Sequence, residues 1–230
     1  MEIRYLDNSG FALTCDREML VFDCYNPKTH DALKDDALAA MNAVTVLISH
    51  AHGDHYSKDI WGLKNAKFAS GFDIKAPEHA VSMKPGDTAQ MNGASISAYG
   101  STDKGVSFYV EWKGKKIFHA GDLNDWHWRD EGGEEYAKKA EAAFLKELAL
   151  IQAGVSHIDI AFFPVDPRMG SDYFRGALLF CERMRPTHMV PMHFQNISAF
   201  PQAFMEEVER HTSFLKIPEN GVLHLENEQV

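Results

Sequence analysis

The sequence predicts an α+β fold in which helices cover β-sheets in a layered sandwich. The N-terminal half reads as short strands separated by turns, and the apolar period changes to that of a helix in the second half. In the last third of the chain, predicted strands and helices alternate, which places helices against a sheet.

The strands are indicated by short apolar or alternating runs between turn residues. Residues 2–6 alternate, and Asn8-Ser9-Gly10 supplies turn chemistry before the pattern resumes. Residues 44–48 form a β-branched run typical of a buried strand, and Lys113-Gly114 is a favourable hairpin turn. The predicted strands are 2–6, 11–14, 19–22, 44–48, 96–99, 106–112, 116–118, 158–165, 187–192 and 222–225.

Helices are predicted where apolar residues recur at intervals of three or four. In the segment 134–152, this stripe is formed by Tyr136, Ala140, Phe144, Leu148 and Ile151. The segments 173–184 and 200–211 are the other predicted helices, and each lies between two predicted strands.

Length and composition limit the classes of function. A chain of 230 residues favours a single domain spanning residues 1–230. Acidic residues number 33 and basic residues 23, and this balance argues against a nucleic-acid partner. The chain has no apolar run of about 18 residues, which argues against a membrane span.

Two further features favour a cytoplasmic protein. The N-terminus has an acidic second residue and no apolar run, unlike a signal peptide. The three cysteines, Cys15, Cys24 and Cys181, show no CxxC pairing and do not form a disulfide framework. A reducing compartment fits this usage best.

The most informative segment is the loop after the predicted strand 44–48, which reads HAHGDH. His50 and His52 are two residues apart, so in extended backbone they project to the same side and can bind one metal ion. Asp54 and His55 follow a glycine whose backbone freedom lets the chain turn toward a neighbouring position. These imidazole nitrogens and this carboxylate suit Zn²⁺, with Mn²⁺ or Fe²⁺ as alternatives. A polar helix N-terminus with solvated histidines is the other interpretation, but it does not explain three histidines at a strand exit.

The segment resembles the HxHxDH motif of the metallo-β-lactamase superfamily, in which two sheets pack face to face between outer helices. The resemblance covers most of the chain and implies a four-layer αββα sandwich. Asp23 matches an acidic residue that supports the metal loop, Asp122 matches the metal-bridging aspartate, and His193 matches the last histidine ligand. The implied metal ligands form one site of Asp54, His55, Asp122 and His193, and a neighbouring site built on His50 and His52.

One position departs from the superfamily pattern. Most binuclear members carry another histidine before the strand that precedes the Gly-Asp hairpin, but residues 99–105 contain none. Asp103 is the nearest replacement, since a carboxylate is a competent zinc ligand, and an ordinary turn aspartate is the alternative. His127 is a second candidate, with a surface or stacked histidine as the alternative. If Ser101 occupies the place of the missing ligand, we expect this site to bind metal more weakly than the site with His193.

The ligand set implies a metal-dependent hydrolase in which a metal-bound water, deprotonated near neutral pH, is the nucleophile. The superfamily counterpart of Asp54 binds metal and orients this water, so Asp54 is the expected catalytic residue. Zinc, as one or two ions, is the expected cofactor, with manganese or iron as alternatives. The expected partner is a small-molecule substrate, namely an anionic ester, lactone or phosphoester.

Substrate contacts are predicted at two positions. Arg168 follows the predicted strand 158–165 and can present its guanidinium to a carboxylate or phosphate, or can pair with Asp166 instead. Trp126 can supply an apolar wall. Two other functions stay open: a phosphodiesterase acting on nucleotides or short RNA, which a basic rim would favour, and a non-catalytic, metal-stabilised binding or sensor protein.

Overall fold

Two mixed β-sheets, each with seven strands among the described residues, form the centre of the protein. The structure is a computed structural model, and it describes residues 1–194 and 200–225. The strands are β1 (Glu2–Asp7), β2 (Gly10–Cys15), β3 (Glu18–Phe22), β4 (Ala43–Ile48), β5 (Ala66–Gly71), β6 (Ala80–Met83), β7 (Thr88–Met91), β8 (Ala94–Tyr99), β9 (Ser107–Trp112), β10 (Lys115–His119), β11 (Ile160–Pro164), β12 (His188–Met192), β13 (Ser213–Phe214) and β14 (Val222–His224). Their order is β14-β1-β2-β3-β4-β5-β6 in the first sheet and β13-β12-β11-β10-β9-β8-β7 in the second.

The two sheets bury their facing sides against each other. Phe11 of β2 lies 4.3 Å from Phe162 of β11 between ring centroids, and Phe22 of β3 lies 6.1 Å from the same ring. These rings belong to one buried cluster that contains apolar residues of both sheets. Burial of this apolar area is the main contribution to the stability of the sandwich.

Helices cover the outer face of each sheet. They are α1 (Asp35–Ala39), α2 (Arg129–Gly154), α3 (Arg175–Met184) and α4 (Gln202–Val208). Phe144 of α2 and Phe180 of α3 both pack on Phe163 of the second sheet. A second buried cluster joins Leu38 of α1 to the outer face of the first sheet. The predicted αββα layering is therefore confirmed, with a thin outer layer beside the first sheet.

The predicted elements agree with the structure, but the prediction omitted several short ones. The helix predicted from residue 134 is the regular part of α2, since Gly133, with a φ of 75° and a ψ of 177°, separates it from the first turn. Four strands (β5, β6, β7 and β13) and α1 were not predicted. These elements are two to six residues long, and such lengths leave little room for a periodic signal. None of the helices in the described part of the chain is long and apolar enough to cross a bilayer.

Parallel pairing brings the candidate site residues to one edge. β3 pairs in parallel with β4, and β10, β11 and β12 pair in parallel in the second sheet. Because the carboxyl ends of parallel strands lie at the same edge, the loops that follow these five strands meet. The residues at these ends are Asp23, His50, Asp122, Asp166 and His193.

Candidate metal centre

Four side chains that follow β4, β10 and β12 form a compact group, here called the second ligand group (Asp54, His55, Asp122 and His193). His55 Nε2 lies 3.0 Å from Asp122 Oδ1 and 3.2 Å from His193 Nε2. His193 Nε2 lies 3.4 Å from Asp122 Oδ1 and 3.5 Å from Asp54 Oδ2. Metal bonds of 2.0–2.2 Å in a tetrahedral arrangement require donor atoms about 3.3–3.6 Å apart. The spacing of this group fits one divalent metal ion.

The first ligand group (His50, His52, Asp103 and Asp122) lies beside it and is looser. His50 Nε2 is 3.1 Å from Asp122 Oδ2, and His52 Nδ1 is 3.7 Å from the same oxygen. Asp103 Oδ2 lies 3.7 Å from His52 Nδ1. His50 is buried, whereas His52 and Asp103 are both partly exposed.

Asp122 connects the two groups because its two carboxylate oxygens face opposite ways. Oδ2 faces His50 and His52, and Oδ1 faces His55 and His193. Asp122 Oδ1 and His50 Nε2 are buried, and neither has a hydrogen-bond partner among the described residues. Leaving a buried polar atom without a partner is costly. A pair of cations would satisfy both atoms, so the donor set fits metal binding.

Asp23 fixes the loop that carries His50, His52, Asp54 and His55 through contacts with Ser49 and His55. Its carboxylate accepts hydrogen bonds from Ser49 N and Ser49 Oγ, both at 2.6 Å, and lies 2.8 Å from His55 Nδ1. Burial alone would raise the pKa of Asp23, but the hydrogen bond and charge of His55 outweigh burial and lower it. Asp23 therefore stays ionised, and His55 directs Nε2 toward the cluster.

His55 lies between two carboxylates. Burial would lower its pKa, but the negative charge of Asp122, together with the charge and hydrogen bond of Asp23, raises the pKa to about 10. The same two carboxylates that hold a proton on this ring would favour a cation in its place. Burial raises the pKa of Asp122 less than His55 and His50 lower it, so the pKa lies well below its ordinary value.

A second carboxylate, Asp166 after β11, orients His193. Asp166 is buried, and its Oδ2 lies 2.8 Å from His193 Nδ1. The same carboxylate accepts hydrogen bonds from the backbone and guanidinium of Arg168. Burial would raise the pKa of Asp166, but the hydrogen bonds from His193 and Arg168 lower it to about 2.

The structure separates the two candidates for the extra ligand. Asp103 faces His52, as described above, whereas His127 is buried and has other partners. Its Nε2 lies 3.1 Å from the carbonyl oxygen of Asp172, and its Nδ1 accepts the backbone N–H of Arg129. Both ring nitrogens are engaged in this conformation, so ligation by His127 would require both hydrogen bonds to be rearranged, and it stays an untested prediction. In this conformation, His127 fixes the start of α2.

A cavity of about 350 Å³ opens on the cluster. Trp126 lies on its wall, where its indole N–H donates to the carbonyl oxygen of Asp122 and its ring stands edge-on to His193. The ring of Trp128 is nearly parallel to that of Trp126 at an interplanar angle of 14°. Arg168 pairs with Asp166, but its side chain is 48% exposed at the cavity. The structure therefore shows the pairing of Arg168 with Asp166 and leaves its guanidinium partly exposed, and its contact with a substrate stays a prediction.

Two positioning residues were missed in the sequence. Asp166 was considered only as a partner of Arg168, although its position after a parallel strand was a usable signal. Asn8 was assigned to a turn, but its amide N–H donates to Asp54 Oδ2 at 3.1 Å. Its carbonyl oxygen accepts the backbone N–H of His193 at 3.0 Å. No local pattern distinguishes this asparagine from an ordinary turn residue.

Comparison with known proteins supports this view of the fold. No family model matches the chain. A curated UPF0173 metal-dependent hydrolase of Thermus thermophilus is 28% identical, covering 92% of this chain and 95% of that protein. The structure of Igni18, described as a novel metallo hydrolase from Ignicoccus hospitalis, has a TM-score of 0.69 and 22% identity, covering 98% of this chain and 99% of that chain. YhfI of Bacillus subtilis, described as a metallo-β-lactamase fold protein, has a TM-score of 0.63 and 10% identity, covering 97% and 99%. At these identities, the solved structures show a shared fold.

Proposed function

We propose that this chain, which shares the fold of metallo-β-lactamase fold proteins and resembles curated metal-dependent hydrolases, is a member of the metallo-β-lactamase superfamily that hydrolyses a small anionic ester, lactone or phosphoester with the help of a bound metal. The observation that carries the proposal is the arrangement of Asp122. This residue offers one carboxylate oxygen to each of two imidazole pairs at the floor of an open cavity.

The ligand groups support a pair of divalent ions. The second group would hold one ion through His55, His193, Asp54 and one oxygen of Asp122. A metal bound there supplies a Lewis acid that activates both a water molecule and the substrate's electrophilic atom. Zinc is the metal to be tested first, and manganese and iron follow because their ligand preferences overlap with it.

Asp54 is proposed to carry the proton. Its side chain is 47% exposed and lines the cavity, and its Oδ2 lies 3.5 Å from His193 Nε2. Asn8 holds this carboxylate through a side-chain hydrogen bond, which limits its rotation. A carboxylate fixed at this place can orient an attacking water, accept its proton and later deliver that proton to the leaving group.

The charge at the site favours an anionic substrate. Two divalent cations would exceed the three carboxylates of the ligand groups by one positive charge. Arg168 adds a guanidinium whose charge is largely matched by Asp166, but its NH1 takes part in no hydrogen bond with the described residues. This nitrogen is free to bind a carboxylate or phosphate oxygen. Trp126 and Trp128 offer an apolar wall for the rest of a small molecule.

The two alternatives have less support. Binding of nucleotides or short RNA requires several cations along the site. Among the described residues that line the cavity, Arg168 is the single Lys or Arg side chain, and the carboxylates of Asp54, Asp103 and Asp122 line the same cavity. A non-catalytic sensor does not require an open cavity that reaches a half-exposed carboxylate at the metal position. The cavity therefore favours turnover.

The experiment is a screen of the metal-replete protein on matched chromogenic substrates: an aryl ester, a lactone, a thioester, a phosphate monoester and a phosphate diester. Zinc-, manganese- and iron-loaded protein are compared, with Asp122→Asn and chelated protein as controls. We expect turnover of at least one ester or lactone that both controls abolish. Activity that survives both controls, or two bound ions without turnover of any class, would contradict the proposal.

A further inference from the structure

We infer that Asp103 is a metal ligand of the first ligand group and that its carboxylate lowers the preference of this group for zinc over manganese. The inference deepens the proposed function and rests on it. Asp103 would make the first group a set of two imidazole nitrogens and two carboxylate oxygens. The second group has the same donor composition.

The side chain of Asp103 is aimed at the other donors. Its Oδ2 lies 3.7 Å from His52 Nδ1, and the donor atoms of His52, Asp103 and Asp122 all lie within 4.8 Å of one another. A turn aspartate normally accepts a hydrogen bond from its own loop. Here no described residue donates a hydrogen bond to the Asp103 carboxylate, and its backbone N–H donates to Ser101 Oγ. The carboxylate is therefore available for a cation.

A buried atom points to the same ion. His50 Nε2 is fully buried and has no hydrogen-bond partner among the described residues, although it lies 3.1 Å from Asp122 Oδ2. An imidazole nitrogen in this position needs a proton acceptor of good geometry or a metal. In the first ligand group, the buried His50 Nε2 therefore lacks a hydrogen-bond partner among the described residues. The partly exposed Asp103 carboxylate accepts no hydrogen bond from them and is available to the same ion.

The loop that carries Asp103 is fixed to both neighbouring ligand loops. The backbone N–H of Val106 donates to the carbonyl oxygen of Ser49, next to His50. Thr102 Oγ1 donates to the carbonyl oxygen of Asn124 at 2.6 Å and accepts the N–H of Asn124 at 2.9 Å. The loop is thus held against the strand end before the histidine motif and against the loop after Asp122.

Donor chemistry sets the direction of the metal preference. Zinc sites favour four donors rich in imidazole or thiolate, whereas carboxylate oxygens suit manganese. The intrinsic affinity order still leaves zinc ahead of manganese at most nitrogen and oxygen sites. The expected effect is therefore a change in the ratio of the two affinities. A carboxylate at position 103 lowers the ratio of zinc affinity to manganese affinity, and an imidazole at the same position raises this ratio.

The test measures metal binding and not turnover. Metal-free protein is titrated with zinc and with manganese against chromophoric chelators in four forms: wild type, Asp103→His, Asp103→Asn and Asp31→His. Asp31 is a fully exposed carboxylate that pairs with Lys34, so its replacement by histidine is the matched control. We expect Asp103→His to raise the zinc-to-manganese affinity ratio of the weaker equivalent at least about tenfold. Asp103→Asn should weaken that equivalent for both metals, and Asp31→His should change nothing.

The other possible results separate a failure of this inference from a failure of the proposed function. Two equivalents with wild-type affinities in both Asp103 variants would overturn the inference, and the proposed function would stand if Asp122→Asn still loses metal. If Asp122→Asn also keeps both equivalents, the proposed function fails as well. Anomalous diffraction from zinc-loaded wild-type crystals gives a second readout that needs no variant. An ion at the first group within about 2.0–2.2 Å of an Asp103 oxygen supports the inference, and an ion there without this contact overturns it.

Discussion

His193 Nδ1 lies 2.8 Å from Asp166 Oδ2, and this contact determines which nitrogen of the ring faces the ligand cluster. The pKa of Asp166 is lowered to about 2, so its carboxylate is ionised at neutral pH and can only accept a hydrogen bond. His193 must therefore carry its proton on Nδ1. The unprotonated Nε2 then points at His55, Asp54 and Asp122, in the state that a metal ligand requires.

Asp166→Asn tests this orientation. The amide is a weaker acceptor, and it leaves Arg168 without a charged partner. We expect the metal affinity of the second ligand group to fall about 10–100-fold, as is usual for the loss of a carboxylate behind a histidine ligand. Competition titration with a chromophoric chelator measures the affinity, and Asp159→Asn, at a carboxylate that binds Lys116 N instead, is the control. An unchanged affinity would show that the geometry of the ring is held by the backbone alone.

Asp54→Asn tests the catalytic assignment. The amide is a poor ligand and accepts no proton, so we expect kcat to fall by about 10²–10⁴-fold in metal-replete buffer. The residue is half exposed, and the fold should persist with an unchanged circular dichroism spectrum. Asn8→Ala removes the two hydrogen bonds that the Asn8 amide donates to Asp54, one to Oδ2 and one to the backbone carbonyl oxygen, and should give a smaller loss. Near-normal turnover by Asp54→Asn would assign the proton transfer to another group.

His55 predicts a coupling between metal binding and protons. The carboxylates of Asp122 and Asp23 overcome the effect of burial and raise the pKa of His55 to about 10. In the metal-free protein at pH 7, the ring is therefore the imidazolium cation, with a proton on each nitrogen. A metal must displace the proton on Nε2, and affinity should therefore rise with pH up to about 10. Calorimetry in two buffers of different ionisation enthalpy counts the protons released. We expect about one more proton from the wild type than from His55→Gln, and equal counts would contradict the assignment.

The buried carboxylate of Asp125, which is not one of the proposed metal ligands, is expected to make the stability of the protein depend on pH. The Asp125 side chain is fully buried, and neither carboxylate oxygen has a hydrogen-bond partner among the described residues, although Oδ2 lies 3.5 Å from Arg175 Nε. Burial raises the pKa of Asp125 from 3.8 to about 6. Between about pH 4 and pH 6, the folded protein keeps a proton that the unfolded chain has lost, so this residue makes stability fall as pH rises through that window.

Asp125→Asn removes this titration. We expect the free energy of unfolding to be higher than that of the wild type by on the order of 2–3 kcal/mol at pH 8, with no difference at pH 4. Urea denaturation at pH 4, 5, 6 and 8 measures the difference. If the difference in free energy of unfolding between Asp125→Asn and the wild type does not depend on pH, Asp125 has an ordinary pKa in the folded protein.

Gly105 and Gly114 form a matched pair for testing the loop of Asp103. Both have positive φ angles, 63° and 72° respectively. A Cβ at Gly105 would lie 2.0 Å from the carbonyl oxygen of Ser49, but a Cβ at Gly114 would meet nothing within 4 Å. Each alanine variant should lose about 1 kcal/mol from backbone strain. We expect Gly105→Ala to lose at least about 2 kcal/mol more and to weaken metal binding at the first ligand group, as measured by urea denaturation and metal titration. Equal losses in both variants would show that the loop is free to move away.

Sequence patterns alone predicted helices covering sheets in a layered sandwich, and the four αββα layers were implied by the resemblance of the HAHGDH segment to a known superfamily. Turn residues such as Asn8 and Gly114 and the period change at α2 mark local structure, because backbone preference and apolar spacing act over a few residues. The motif order predicted which strand ends carry His50, Asp122 and His193. The structure brings these side chains together, and their role as metal ligands remains a prediction. The short edge strands β6 and β7 were not predicted, because four residues are too few to show the alternation of apolar and polar residues that marks a strand.

Tertiary structure decided the contacts between residues distant in the chain. Asp166 reaches His193 across 27 positions and Asn8 reaches Asp54 across 46, through the pairing of parallel strands and the packing of two sheets. The burial of His127 and the direction of Asp103 depend on the same packing. Sequence patterns specify the face on which a residue lies, but the partner of a side chain is set by strand register and rotamer, which become fixed only when the two sheets pack.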